Sequence, residues 1–184
     1  MRIFYSGNVP QIVQGKYLYL DNDFISQLFH DEEILKEALD ILKSGSFIID
    51  SLTVLEFLRD VFLPQQFNTK KSFISSEIFL PASDHPDIYK HLQENALLLS
   101  RIYCHQNQKT KSSLVDLFLA ARLVYSQTPL LITGNKKDFP SCVFDTVSVL
   151  NIEQPGDGTM RAFSIIKFNQ SNFNKCFTAL QKLP

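Results

Sequence analysis

Leu130-Leu131-Ile132-Thr133-Gly134-Asn135-Lys136-Lys137-Asp138-Phe139 is the stretch that decides the fold. Leu130 to Ile132 form a short apolar run introduced by Pro129, the signature of a central parallel strand covered on both faces. The next six residues supply a hydroxyl, an amide, two cations and a carboxylate, which no ordinary turn requires. In open α/β sheets ligands bind outside the carboxyl ends of the strands, so this polar tip marks a candidate site.

Working outward, strand-like and helix-like segments alternate. Arg2 to Tyr5 reads as a short edge strand ended by the Gly7-Asn8 turn, and Tyr17 to Leu20 as a strand that stops at Asp21. Phe24, Ile25, Leu28 and Phe29 follow at helical spacing. Ile34 to Leu42 continue a second helix, for which Gly45 is a suitable left-handed cap. Phe47 to Ile49 predicts a strand, Ser51 to Phe62 a helix up to Pro64, and Ile78 to Leu80 another strand. The segment from Gln65 to Ser76 fits a loop or a short helix equally well. Pro86 opens a long helix with Ile88, Leu92, Leu99 and Tyr103 on its buried stripe, and Gln106 to Lys111 reads as a polar connector. Ser113 to Tyr125 is apolar nearly all round, as a buried helix is. Val143 to Ile152 alternates as a strand. After the Gly156-Asp157-Gly158 turn, Ala162 to Phe168 reads as a strand and Phe173 to Leu180 as an amphipathic helix. Strands separated by helices predict an α/β fold, a mainly parallel sheet with helices on both faces. The tail after Gln154 is expected as a strand-helix appendix at a sheet edge, packed on the core beside Arg2 to Tyr5.

With 184 residues the chain suits one well-cored domain. Hydrophobic residues at 45% and 16 Phe supply the core and exclude a disordered class, while a net charge of −1 gives no global attraction to a polyanion. Cys104, Cys142 and Cys176 are odd in number and lack CxxC spacing, so reduced core thiols and a cytoplasmic location are expected. No apolar run reaches the roughly 18 residues of a membrane span, and the start of the chain lacks the pattern of a signal peptide.

Four acids occupy equivalent places, each at the end of a strand or in the first turns of the next helix: Asp21, Glu56, Asp116 and Asp138. Singly, each has a local explanation. Ser113-x-x-Asp116 and Thr53-x-x-Glu56 match a capping box, Asn135-x-x-Asp138 resembles one, and Asp21 suits an N-cap. Jointly they point to a site, because Asp116 is the lone acid of an apolar helix and carboxylates gathered at one edge repel unless a hard cation sits among them. Oxygen ligands without His or Cys point to Mg²⁺ or Mn²⁺, and His30, His85, His91 and His105 show no metal-binding spacing. Such a cation acidifies water and neutralises phosphate oxygens, the two needs of phosphodiester hydrolysis. The cations nearest the acids are Lys136 and Lys137 within the motif and Arg59 a turn after Glu56.

Tyr19 to Ile25, Ser51-x-Thr53-x-x-Glu56, Asp116 to Ala121 and Leu131 to Phe139 resemble, in order, the four motifs of PIN-domain nucleases, especially the VapC-like ribonuclease toxins. The resemblance runs from Tyr17 to about Gln154, and its last motif is the most specific. It implies a three-layer α/β/α fold, Mg²⁺ or Mn²⁺ dependence and cleavage of RNA. It also implies that Asp21, Glu56, Asp116 and Asp138 hold metal while Thr133 and Asn135 organise the fourth acid. A toxin of this kind implies a small antitoxin partner; a homodimer is left open. Asp23 stands where the family usually has Asn, so an extra acid joins the metal shell or points away from it. Two other readings compete. One is a PIN-like binding or scaffold module without metal. The other is a haloacid-dehalogenase-like phosphatase with Asp21 as nucleophile, suggested by Asp21-Asn22-Asp23 after a strand, although only a lone Asp157 remains downstream as its second acidic element.

Overall fold

The structure, a computed structural model, describes residues 2–105, 112–156 and 158–182. The connector expected at 106–111 and Asp157 lie outside the described residues. The elements run β1 (Ile3–Tyr5), α1 (Val9–Ile12), β2 (Tyr17–Leu20), α2 (Asn22–His30), α3 (Glu32–Leu42), β3 (Ser46–Ile49) and α4 (Ser51–Arg59). They continue α5 (Pro64–Ile74), β4 (Phe79–Pro81), α6 (Pro86–His105), α7 (Leu114–Ser126) and β5 (Leu130–Thr133). A 3₁₀ turn (Lys136–Asp138), β6 (Phe144–Glu153), β7 (Met160–Phe168) and α8 (Gln170–Gln181) complete them. The undecided segment after Pro64 is therefore a helix. None of its residues is buried, and Phe73 and Ile74 only lean on the core, so the apolar periodicity that announces a helix was absent.

The sheet has seven strands in the order β1-β6-β7-β5-β2-β3-β4. β4, β3, β2 and β5 are mutually parallel, as the crossover helices require. β7 runs antiparallel to both β5 and β6, and β1 antiparallel to β6, so the sheet is mixed. This corrects the expectation of an edge appendix. β7 lies in the interior between β5 and β6, and β1 pairs with β6 instead of β7. The physical reason lies in its side chains: Phe163, Ile165, Ile166 and Phe168 are all buried, and a strand that buries both faces belongs inside a sheet.

Alternation along the strands divides the core into two clusters, one on each face. Leu18, Leu20, Leu130, Ile132 and Ile165 join the first with Phe24, Ile25, Ile34 and Phe57. Tyr19, Ile48, Leu131 and Ile166 join the second with Leu92, Leu99, Leu119, Phe173 and Leu180 from α6, α7 and α8. β5 is buried at all four residues, and each large side chain there contributes about 1.5–3 kcal/mol. Gly45 differs from its expected role: it is not among the left-handed residues. A Cβ there would meet Leu18 Cδ1 at 2.8 Å and the Val13 carbonyl at 3.0 Å, so glycine is needed for close approach.

α7 also carries a charge that its apolar pattern concealed. Buried Arg122 donates from Nε to Asp50 Oδ2 (2.7 Å), from Nη1 to the Ser83 carbonyl (2.5 Å) and from Nη2 to Asp84 Oδ1 (2.6 Å). Asp50 in turn accepts the Leu52 N–H and N-caps α4. The guanidinium thus pins together α4, α7 and the approach to α6. α4 and α7 are the helices that carry Glu56 and Asp116.

An acidic cavity at the carboxyl edge

β2 and β5 end side by side, with Leu20 opposite Ile132, so Asp21 and Thr133 leave the sheet as neighbours. Asp21 is the N-cap of α2, and its Oδ1 accepts the Asn22 N–H at 2.7 Å. The tripeptide Thr133-Gly134-Asn135 then engages three carboxylates in succession. The Thr133 hydroxyl donates to Asp21 Oδ2 (2.6 Å) and accepts the Asn135 N–H (2.9 Å). The Gly134 N–H donates to Asp23 Oδ2 at 2.9 Å. The Asn135 side-chain amide donates to Asp138 Oδ2. Asn135 therefore serves the fourth acid as the resemblance implies, whereas Thr133 serves the first acid in place of the fourth. A Cβ at Gly134 would stand 2.5 Å from Asp23 Oδ2, so any larger residue would displace that carboxylate from the Gly134 N–H.

Asp116 sits at the third position of α7 in a complete capping box: the Ser113 hydroxyl and N–H both donate to its Oδ2, and its own N–H donates to Ser113 Oγ. The same side chain also lines the cavity, so its capping bonds do not turn it away from the other acids. Thr53 and Glu56 form no such box. Asp50 takes the N-cap of α4, which leaves the buried Thr53 hydroxyl without a hydrogen-bond partner and Glu56 facing the cavity.

The cavity holds about 650 Å³ and is walled by Asp21, Asn22, Asp23, Glu56, Ser113, Asp116, Gly134, Asn135, Lys137, Asp138 and Arg161. All four expected acids meet there, joined by Asp23. Of the expected cations Lys137 lines it, whereas Lys136 does not: its ammonium donates to the Phe139 carbonyl at 2.6 Å. Arg59 is also outside the walls, exposed, and 3.8 Å from Glu56 Oε1 and 3.6 Å from Asp60 Oδ2. Arg161 was missed, because the tail carried no motif; the signal available was an arginine at the start of an apolar strand.

Crowding shows in the protonation of the acids. Burial, reinforced by the negative charge of Asp23, raises the Asp21 carboxyl to about 7, against the opposing hydrogen bond from Thr133. Burial also raises Asp23, where the Arg161 guanidinium opposes it. Glu56 and Asp138 are raised by burial, and the Asp116 charge pushes both the same way. Asp23 Oδ1 and Asn22 Oδ1 are buried without a hydrogen-bond partner. Clustered carboxylates that repel one another, with buried oxygens left unpartnered on Asp23 and Asn22, have the donor chemistry of a hard divalent cation such as Mg²⁺ or Mn²⁺. Among the described residues no three acids already stand at the spacing of a closed coordination shell.

The fold and the cavity define an α/β protein with an acidic, oxygen-lined site at the carboxyl ends of parallel strands. In comparisons with known proteins, no family model matches the chain and no curated protein matches it. Among the described residues no helix is long and apolar enough to cross a membrane.

Proposed function

We propose that the chain is a Mg²⁺- or Mn²⁺-dependent endoribonuclease of PIN-like, three-layer architecture, acting as the toxin of a toxin-antitoxin pair. The observation that carries this reading is the convergence of Asp21, Asp23, Glu56, Asp116 and Asp138 on one cavity, three of them held by the single turn Thr133 to Asn135. These acids would hold the cation, with Asp23 as a fifth donor beside the four that the motifs name. When bound, the cation supplies charge neutralisation for the phosphate and acidifies a water for attack on phosphorus. The protein's own part is positional. Thr133 fixes the Asp21 carboxylate, Asn135 fixes that of Asp138, and the Ser113 cap fixes that of Asp116. Without the cation the Asp21 carboxyl is raised to about 7 by burial, so binding the cation at neutral pH would displace its proton. The substrate is RNA. Leu55, Phe62 and Leu63, exposed on and just after the helix that carries Glu56, offer apolar surface for a small antitoxin segment.

The test is cleavage of RNA by purified protein with and without Mn²⁺, with Asp138→Asn prepared identically. Metal-dependent cleavage that the variant loses is expected. Equal cleavage by the variant would assign the activity to a contaminant, and absence of both cleavage and saturable Mn²⁺ binding by calorimetry would favour a scaffold.

A further inference from the structure

We propose, building on the ribonuclease reading, that Arg161 binds a phosphate of the RNA adjacent to the one that is cut, so that the tail strand supplies substrate contact to a site whose acids all lie earlier in the chain. The pairing of β7 with β5 stops at Ser164 opposite Thr133. The four residues Met160 to Phe163 therefore overhang the carboxyl end of β5, by about 13 Å at the rise of an extended strand. They stay rigid because they pair with Leu150 to Glu153 of β6 on their other side. This overhang sets Arg161 into the cavity wall. Its guanidinium is held by one face, since the guanidinium carbon lies 5.0 Å from the centre of the Phe163 ring, and that ring packs edge-on against Phe24 at 5.1 Å. Its N–H edge is left for a ligand: the side chain is 45% exposed, and Asp23 Oδ2 pairs with it only at 3.8 Å, beyond a direct hydrogen bond.

Five acids repel a polyanion, so a phosphodiester chain reaches them only where cations at the rim offset the field. Lys136 is engaged by a carbonyl and Arg59 stands outside the walls, which leaves Lys137 and Arg161 as the cations that line the cavity. The planar fork of an arginine matches phosphate oxygens in a way a lysine does not.

The experiment is steady-state cleavage of a single-stranded oligoribonucleotide by the full chain in Mn²⁺, from about 50 to about 200 mM salt. Arg161→Gln is expected to lower kcat/KM about ten-fold at low salt. Its logarithmic salt slope should shrink by about 0.7, the release expected for one phosphate contact on a single strand. Arg161→Lys should restore the slope and part of the rate, which a merely structural role would not produce. Thermal melts close to that of the wild type confirm that both variants fold. Wild-type cleavage together with an unchanged salt slope in Arg161→Gln, or a lysine variant as defective as the glutamine one, overturns this inference alone. A wild-type chain that neither cuts nor retains RNA overturns it together with the ribonuclease reading.

Discussion

Replacing Asp21 by Asn should stabilise the metal-free protein, and the gain should grow with pH. A carboxyl whose folded-state pKa lies above its unfolded value holds its proton more tightly in the folded chain. The contribution of that group to stability is therefore greatest below about pH 4 and declines until the pH passes the folded value. For Asp21 the window runs from 3.8 to about 7. At about 1.4 kcal/mol per pH unit, the raised carboxyl costs about 4 kcal/mol at pH 8 but only about 1–2 kcal/mol at pH 5. Against this stands a geometric loss. Both carboxylate oxygens accept a hydrogen bond, from the Asn22 N–H and the Thr133 hydroxyl, and an amide has one oxygen for the two donors. That mismatch costs about 1 kcal/mol. The balance is a gain of about 3 kcal/mol at pH 8 and almost none at pH 5. In a chain of 184 residues this raises Tm by about 6–12 °C at the higher pH. Melting curves in EDTA between pH 5 and pH 9 give the answer directly. A variant that melts at or below wild type at pH 8, or whose advantage is the same at pH 5, would refute the electrostatic reasoning.

Asp116→Asn keeps an oxygen for the Ser113 donors yet removes a charge that Asp21, Glu56 and Asp138 all feel, so in EDTA at pH 8 it should melt slightly above wild type and fail to cut RNA. Ser113→Ala, which breaks the cap without relieving repulsion, should instead lose about 1 kcal/mol, or about 2–4 °C; both variants moving the same way would show that capping alone governs Asp116. Arg122→Leu leaves buried Asp50 without its ion partner and should cost about 3–5 kcal/mol in urea denaturation, with part of it recovered in Arg122→Leu/Asp50→Asn. A cost below about 1 kcal/mol would mean that water reaches the pair. A chain ended at Gln154 lacks the strand between β5 and β6 and should show no cooperative melt by circular dichroism; a sharp transition would mean that the sheet closes without β7.

Local patterns in the sequence revealed what depends on local patterns. The run Leu130 to Ile132, the polar turn after it and the recurrence of acids past strand ends were readable because burial on both faces and exposure at a strand tip each leave a compositional trace. Partner choice left none. Nothing in Ala162 to Phe168 says which strands it pairs with, although its apolar residues on both faces did argue against an edge. Arg122 was hidden by its apolar neighbours. A lone charge in a buried helix needs a partner, so Arg122 demanded an acid just as Asp116 demanded donors, but which acid, Asp50, is set by the fold. Thr53 shows the converse, since its capping pattern was real in sequence but Asp50, three residues earlier, holds the N-cap. Lys136 and Lys137 are adjacent and chemically alike, yet the 3₁₀ turn aims one at a carbonyl and leaves the other in the cavity wall.

The interior place of β7 has a consequence for the order of events on the ribosome. Both strands that flank it, β5 and β6, are synthesised first, and each must wait with an unpaired edge until Met160 to Phe168 has emerged. During that interval two buried-type strands offer open hydrogen-bonding rims, the hazard that leads to aggregation or to premature pairing of β5 with β6. Arg161 arrives with β7. A nascent chain therefore carries its acids before it has the whole wall of the cavity, and the finished site forms only after both neighbours of the late strand have been captured.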